Sequence, residues 1–256
     1  MNRAAWDVEA LKLRRSPVAR TSALVLVLGS TAMSAGFTAV GLGDGDSQMA
    51  VKVRPMLQGI GWEAYLGMLA QLLSVATLLS VGIVVTWTVG REFTEGTICG
   101  LQALPTPPAA IARAKLATVM LGTAACAVAA VVLAIPMGLA IGLGAPDETA
   151  AVQALQVLTV TLLTGLLAVP LAWVASARRG YLPGVGALLG LVVLTQVATL
   201  AGAGAWFPWA APSLWAGMGG PEAAAAVSPA QLLLALPVAA LGAAGTIRWW
   251  ATAELQ

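Results

Sequence analysis

Six stretches of the chain carry no charged side chain: 21–43, 64–90, 116–146, 149–177, 180–221 and 223–247. Each is longer than the roughly 20 apolar residues that carry a helix across about 30 Å of hydrocarbon. A charge at mid-bilayer costs about 2.5–3.5 kcal/mol on insertion scales, so clean gaps of this length mark spans. Barrel strands alternate apolar and polar residues over about ten positions, and that alternation is missing here. The first gap exceeds the roughly 7–15 residues of a signal-peptide core, and long apolar stretches follow it. It reads as the first of several spans.

The pattern predicts an all-α membrane protein with six transmembrane helices. They fall near 21–42, 62–89, 112–143, 151–176, 183–203 and 229–249. A single straight helix over 180–221 would run about 63 Å, twice the membrane. Gly202, Gly204, Pro208, Pro212, Gly217, Gly219 and Gly220 interrupt it. The segment 205–220 is therefore expected to fold on the outer side as an interfacial or re-entrant piece, which survives only where protein or water satisfies its backbone. Residues 1–20 read as a short interfacial helix with Trp6, Ala10 and Leu13 on one face. Residues 1–256 read as one transmembrane unit with no soluble domain.

Charge fixes the expected orientation. With the N-terminus inside, 11 of the 13 Lys and Arg residues lie in cytoplasmic segments, and only Lys52 and Arg54 lie outside. The positive-inside rule favours this arrangement, with both termini cytoplasmic. Trp62, Trp206, Trp209 and Trp215 fall near outer ends, and Trp6, Trp87, Trp173, Trp249 and Trp250 near inner ends. Interfacial belts have this form. Composition agrees: 59% of residues are hydrophobic and 9% charged, against about 25% charged in soluble domains.

Missing chemistry narrows function. No Lys follows a Gly, so no Walker A phosphate loop is present. The chain has no His, which removes Ser-His triads and H-E-x-x-H zinc sites. No metal or catalytic site is expected. No acidic residue falls deep in a span, whereas ion-coupled carriers keep ionisable or unwound polar sites near the midplane. Cys99 and Cys126 read as small residues, not as a disulfide.

The segment 91–108 is the most polar inner stretch, and three prolines, Pro105, Pro107 and Pro108, close it. Thr94 is expected to cap a short helix that the prolines end near Leu104. Ile98, Leu101 and Leu104 would be its apolar contacts for a soluble partner.

This segment resembles the coupling-helix region of ABC-2-type transporter permeases. The shared residues are Glu92, Gly96, Thr97, Leu101, Pro105, Ile111 and Lys115. The run Glu9-Ala10-Leu11-Lys12-Leu13-Arg14-Arg15-Ser16 resembles the family's elbow helix. The stretches 177–183 and 206–212 are similar to bacitracin- and peptide-antibiotic-export members. The chain departs from the pattern at Pro107-Pro108, where the family often has Ser-Arg.

The resemblance implies a permease subunit of an ATP-driven exporter in the plasma membrane. It implies a second permease chain, two cytoplasmic ATPase subunits that bind ATP and Mg, and no cofactor held by this chain. It assigns ATPase coupling to Glu92, Thr94, Gly96, Thr97, Ile98, Leu101, Leu104 and Pro105. Trp206, Pro208, Trp209 and Pro212 become candidates for an outer gate. A hydrophobic or amphipathic cargo (a drug, a peptide antibiotic or a lipid) suits a path without buried charges. Nothing in the sequence points to nucleic acid. A membrane scaffold or sensor shares the same topology, and an intramembrane enzyme lacks acid–base groups.

Overall fold

The computed structural model describes residues 3–43, 47–103 and 105–252. Leu104 therefore lies outside the described residues. Among the described residues all regular structure is helical. Six helices are long and apolar enough to cross a membrane: α2 (Pro17–Leu42), α4 (Gly61–Thr94), α6 (Pro108–Ala140), α7 (Glu148–Ala177), α8 (Tyr181–Leu200) and α11 (Pro229–Thr252). Shorter helices are α1 (Arg3–Arg15), α3 (Gln48–Val53), α5 (Ile98–Gln102), α9 (Ala211–Trp215) and α10 (Pro221–Ala225).

Helix starts follow local chemistry. Ser16 Oγ accepts from the Ala19 amide, with Pro17 as the first residue of α2. This makes a sharp elbow after Arg15, so the leader helix ends five residues before the boundary the sequence suggests. Asp147 caps α7 through the Ala150 amide. Ser228 and Gln231 form a capping box at α11, again with a proline in the first turn.

The long helix α4 lies at the centre. Two thirds of its most apolar window is buried (67%), against 11% for α8. It packs on α2, α6, α7, α8 and α9. Close approach depends on particular glycines. A Cβ on Gly90 would lie 2.3 Å from the Tyr181 backbone nitrogen, and one on Gly242 would lie 2.6 Å from Pro170 Cα. The pair Gly186 and Gly190 faces open space instead, so that small-xxx-small spacing packs no helix within this chain.

The two ends of the bundle differ. At one end the starts of α2, α6 and α8 meet the ends of α1, α4, α7 and α11, and Arg15, Arg91, Arg113, Arg178, Arg179 and Arg248 belong to this end. At the opposite end, Arg54 donates to the Gly41 and Gly43 carbonyls and closes the end of α2. The Trp62 indole donates to Gly144 O.

The segment around α9 is tucked between spans. Ala210 and Ala211 are fully buried. Gln156, two turns into α7, donates to Trp215 O at 2.9 Å, and Gln58 donates to Gly217 O at 3.0 Å. Trp209 corrects the expectation of an interfacial indole. Its N–H donates to Leu167 O at 2.8 Å, well inside α7. Pro170 has no amide hydrogen and interrupts the α7 ladder at this turn, so the indole supplies a donor there.

Candidate functional site: a buried ion cluster beneath a short inter-span helix

Four ionised side chains from three helices converge at the basic end. Glu9 and Lys12 sit one turn apart on α1, Glu92 lies in the last turn of α4, and Lys115 lies two turns into α6. Lys115 Nζ is 2.7 Å from Glu92 Oε1 and 2.8 Å from Glu9 Oε2. Its remaining proton goes to Thr88 O at 3.2 Å, so all three donors are placed. Lys12 Nζ lies 3.1 Å from both Glu9 Oε1 and Glu92 Oε1. The Thr97 hydroxyl donates to the second Glu92 oxygen.

Burial decides what this cluster means. Glu92 and Lys115 are each 1% exposed and Glu9 is 3% exposed. An isolated ion there would be prohibitively costly, and two carboxylates against two ammoniums make the set neutral. The cluster lies at the end of the bundle, where the last turn of α4 meets α1 and the start of α6. Glu92 is not solvated beside Arg91, because α1 folds over it and brings Glu9 and Lys12. Burial alone would lower the pKa of Lys12, but the Glu9 and Glu92 carboxylates outweigh it and raise the value above the usual 10.5.

The inward seam of α1 also differs from the expected one. Ala5, Glu9 and, past the helix end, Ser16 are its buried residues. Trp6, Ala10 and Leu13 are half-buried along its side. A narrow apolar stripe was legible in the sequence; the buried glutamate beside it was not.

The cluster secures both ends of the 95–107 connection. α4 continues to Thr94, whose hydroxyl bonds back to Gly90 O. Thr94 is thus the last residue of α4 and does not cap α5, as the sequence reading expected. Gly96 (φ +70°) reverses the chain in the left-handed region that glycine tolerates. Thr97 then precedes α5. Ile98 is buried against the bundle and Leu101 is half-buried there. Ile98 holds α5 to its own protein, which corrects its assignment as a partner contact, while Leu101 is only partly covered. The outward face is Glu95, Gly96, Cys99, Gly100, Ala103 and Pro105.

Aromatic contacts extend the platform to the last span. Phe93 meets Trp249 and Trp250 edge-on at 5.3 and 5.9 Å, and the Trp250 indole donates to Ser176 Oγ. The Arg91 guanidinium lies 4.6 Å above the Trp87 ring. The gate candidates do not join this site. Trp206 is 69% exposed, Pro208 and Trp209 are half-buried and Pro212 is buried, all in the segment near the opposite end.

No group of three or more metal-ligating side chains forms among the described residues. Six spanning helices around an apolar core, with an ion-pinned helix between two of them, define a multi-pass membrane protein. A family model described as ABC-2 family transporter protein matches residues 6–196. The chain belongs to that family, as a permease component of an ABC transporter. Membership implies association with an ABC ATPase and with the membrane. The matched region includes the whole ion cluster and α5. No curated protein matches the chain.

One signal could have revealed the cluster. Lys115 follows Pro108 by two helical turns and directly precedes 31 uncharged residues. A lysine so far into a span requires a partner, and Glu92 on the other arm of the hairpin is an available one.

Proposed function

We propose that this chain is the membrane subunit of an exporter, with its ion-cluster end in the cytoplasm. Two copies of an ATPase dock there and bind ATP and Mg themselves. A second permease chain pairs with this one, and a hydrophobic or amphipathic molecule leaves between them. The basic residues support this orientation, since 11 of 13 fall on the side assigned to the cytoplasm.

The observation that carries the reading is the ion cluster beneath α5. A push on α5 reaches α4 through Thr97 and Glu92, and reaches α1 and α6 through Lys12 and Lys115. Charge pairs with all donors placed transmit displacement with little slack, and they sit where a partner's motion would enter. The docking face is then Glu95, Cys99, Gly100 and Ala103, a small-residue surface into which a partner's side chains can pack. The apolar face of α8, with Leu189, Val193 and Val197 more than half exposed, is offered to lipid or to the second permease.

The test uses Cys99, which is exposed, in a Cys126→Ser background. The tagged chain is purified from its own membranes in mild detergent, and maleimide labelling of Cys99 is followed. A co-purifying ATPase that shields Cys99 supports the reading, as does its loss in Gly100→Trp at unchanged melting temperature. Equal labelling with and without the ATPase moves the docking face elsewhere. Vesicles that bind ATPase but move no labelled cargo turn the chain into a scaffold.

A further inference from the structure

A second polar site lies at the opposite end of the bundle, and neither the ion cluster nor α5 takes part in it. A cavity of about 230 Å³ opens between α4, α7 and the segment that follows α9. Glu63, Gln58, Gln153, Gln156 and Trp215 line it, with Gly67 in the α4 wall. Three further cavities among the described residues are lined mainly by aliphatic and small side chains.

Helical spacing builds the walls. Glu63 and Gly67 are four residues apart on α4, and Gln153 and Gln156 are three apart on α7, so each pair shares a face. A Cβ on Gly67 would meet nothing within 4 Å, so the wall there stands open.

The charge balance of the site is one-sided. Gln58 gives one amide N–H to Gly217 O, and Gln156 gives one to Trp215 O. Each keeps a second N–H, and the oxygens remain as acceptors. Gln153 Oε1 is buried and accepts no hydrogen bond. Glu63 forms no ion pair among the described residues, and no Lys or Arg lines the cavity. The walls thus hold one carboxylate, surplus carbonyl oxygens and an indole, the aromatic type that best holds a cation.

We propose that this cavity binds a small organic ammonium ion, with Glu63 as counter-charge. An anion would face Glu63 with no compensating cation. A neutral apolar molecule would leave Gln153 Oε1 unpaired, which is unfavourable. Under the orientation proposed above, the site opens on the outer side. The binding itself depends on neither transport nor an ATPase.

The test is calorimetric titration of the purified full chain, in nanodiscs of zwitterionic phosphatidylcholine, with benzylammonium, whose N–H groups can reach both Glu63 and Gln153 Oε1. One saturable site per chain is expected. Glu63→Gln should weaken it by about tenfold or more, since it removes the only counter-charge. Gly67→Met should abolish it by filling the cavity while leaving every polar group in place. Gln153→Leu gives a second, milder loss, and melting temperatures show that each variant is folded. Neutral N,N-dimethylbenzamide should not bind. Equal binding to Gly67→Met, or equal binding of the benzamide, overturns the proposal. So does absence of heat with the ammonium probe, whether or not calcium or sodium binds in its place.

Discussion

Lys115 Nζ lies 2.7 Å from Glu92 Oε1, and both residues are only 1% exposed. The pair joins the end of one span to the start of the next, across the connection that contains α5. Removing one partner of a buried pair leaves an uncompensated charge, which costs about 3–5 kcal/mol. Lys115→Met should therefore destabilise strongly, with two carboxylates left facing the half-buried Lys12 and a longer contact from Arg91 to Glu92 at 4.0 Å. Glu92→Gln combined with Lys115→Met should lose much less than the sum of the single changes, because these residues share one network. Thermal melts in detergent of the four proteins complete that cycle. Strict additivity would mean that the two groups do not act together.

The gap pattern made the spans legible because lipid admits few alternatives to a helix about 20 residues long. Segments whose placement depends on neighbours were not legible. Thr94 looks like a cap in isolation, yet α4 runs through it because its last turn is covered by α1 and α6. Ile98 and Leu101 look like a free apolar stripe, yet the bundle beneath them buries Ile98 and partly covers Leu101. Trp209 looks interfacial until Pro170 opens a carbonyl for it on another helix. Glu9 gave no sign of burial, because the surrounding run of Lys and Arg residues resembles a solvated face.

Glycine substitutions should separate close packing from mere small size. Gly90→Ala places a methyl 2.3 Å from the Tyr181 backbone nitrogen, which cannot rotate away. Overpacking of this kind costs about 1–3 kcal/mol. Gly186→Ala meets nothing within 4 Å and should be neutral, or stabilising by up to about 1 kcal/mol from helix propensity. Melting temperatures of the two variants should move in clearly different directions or amounts.

Lys12 links stability to pH. Its folded pKa is raised above 10.5 because the Glu9 and Glu92 carboxylates outweigh burial. A raised lysine contributes stability that is fully present below its unfolded value and is lost as pH rises through the folded one. The window therefore lies above pH 10.5. The melting temperature of the parent should fall there more steeply than that of Lys12→Met, and the two curves should run parallel at neutral pH. Parallel curves throughout would show that Lys12 gains nothing from its partners.

The segment around α9 should be held in place by three side-chain donors that reach its backbone or leave it, Gln58, Gln156 and Trp209, of which the last two can be tested separately. Trp209→Phe keeps the ring but strips Leu167 O of its donor, and Gln156→Leu strips Trp215 O. Each change leaves a buried carbonyl short of a partner, at about 1–3 kcal/mol. Loss of the Gln156 bond acts on α9 itself, so amide exchange over 204–217 should rise while α4 stays protected. Loss of the Trp209 bond acts on two elements, so exchange should rise both there and around Pro170 in α7. The two variants thus separate a tether at the segment's end from a wedge between spans. If exchange over 204–217 is unchanged in both, apolar burial of Ala210, Ala211 and Leu214, with the remaining Gln58 bond to Gly217 O, holds the segment, and the two deleted hydrogen bonds only orient it.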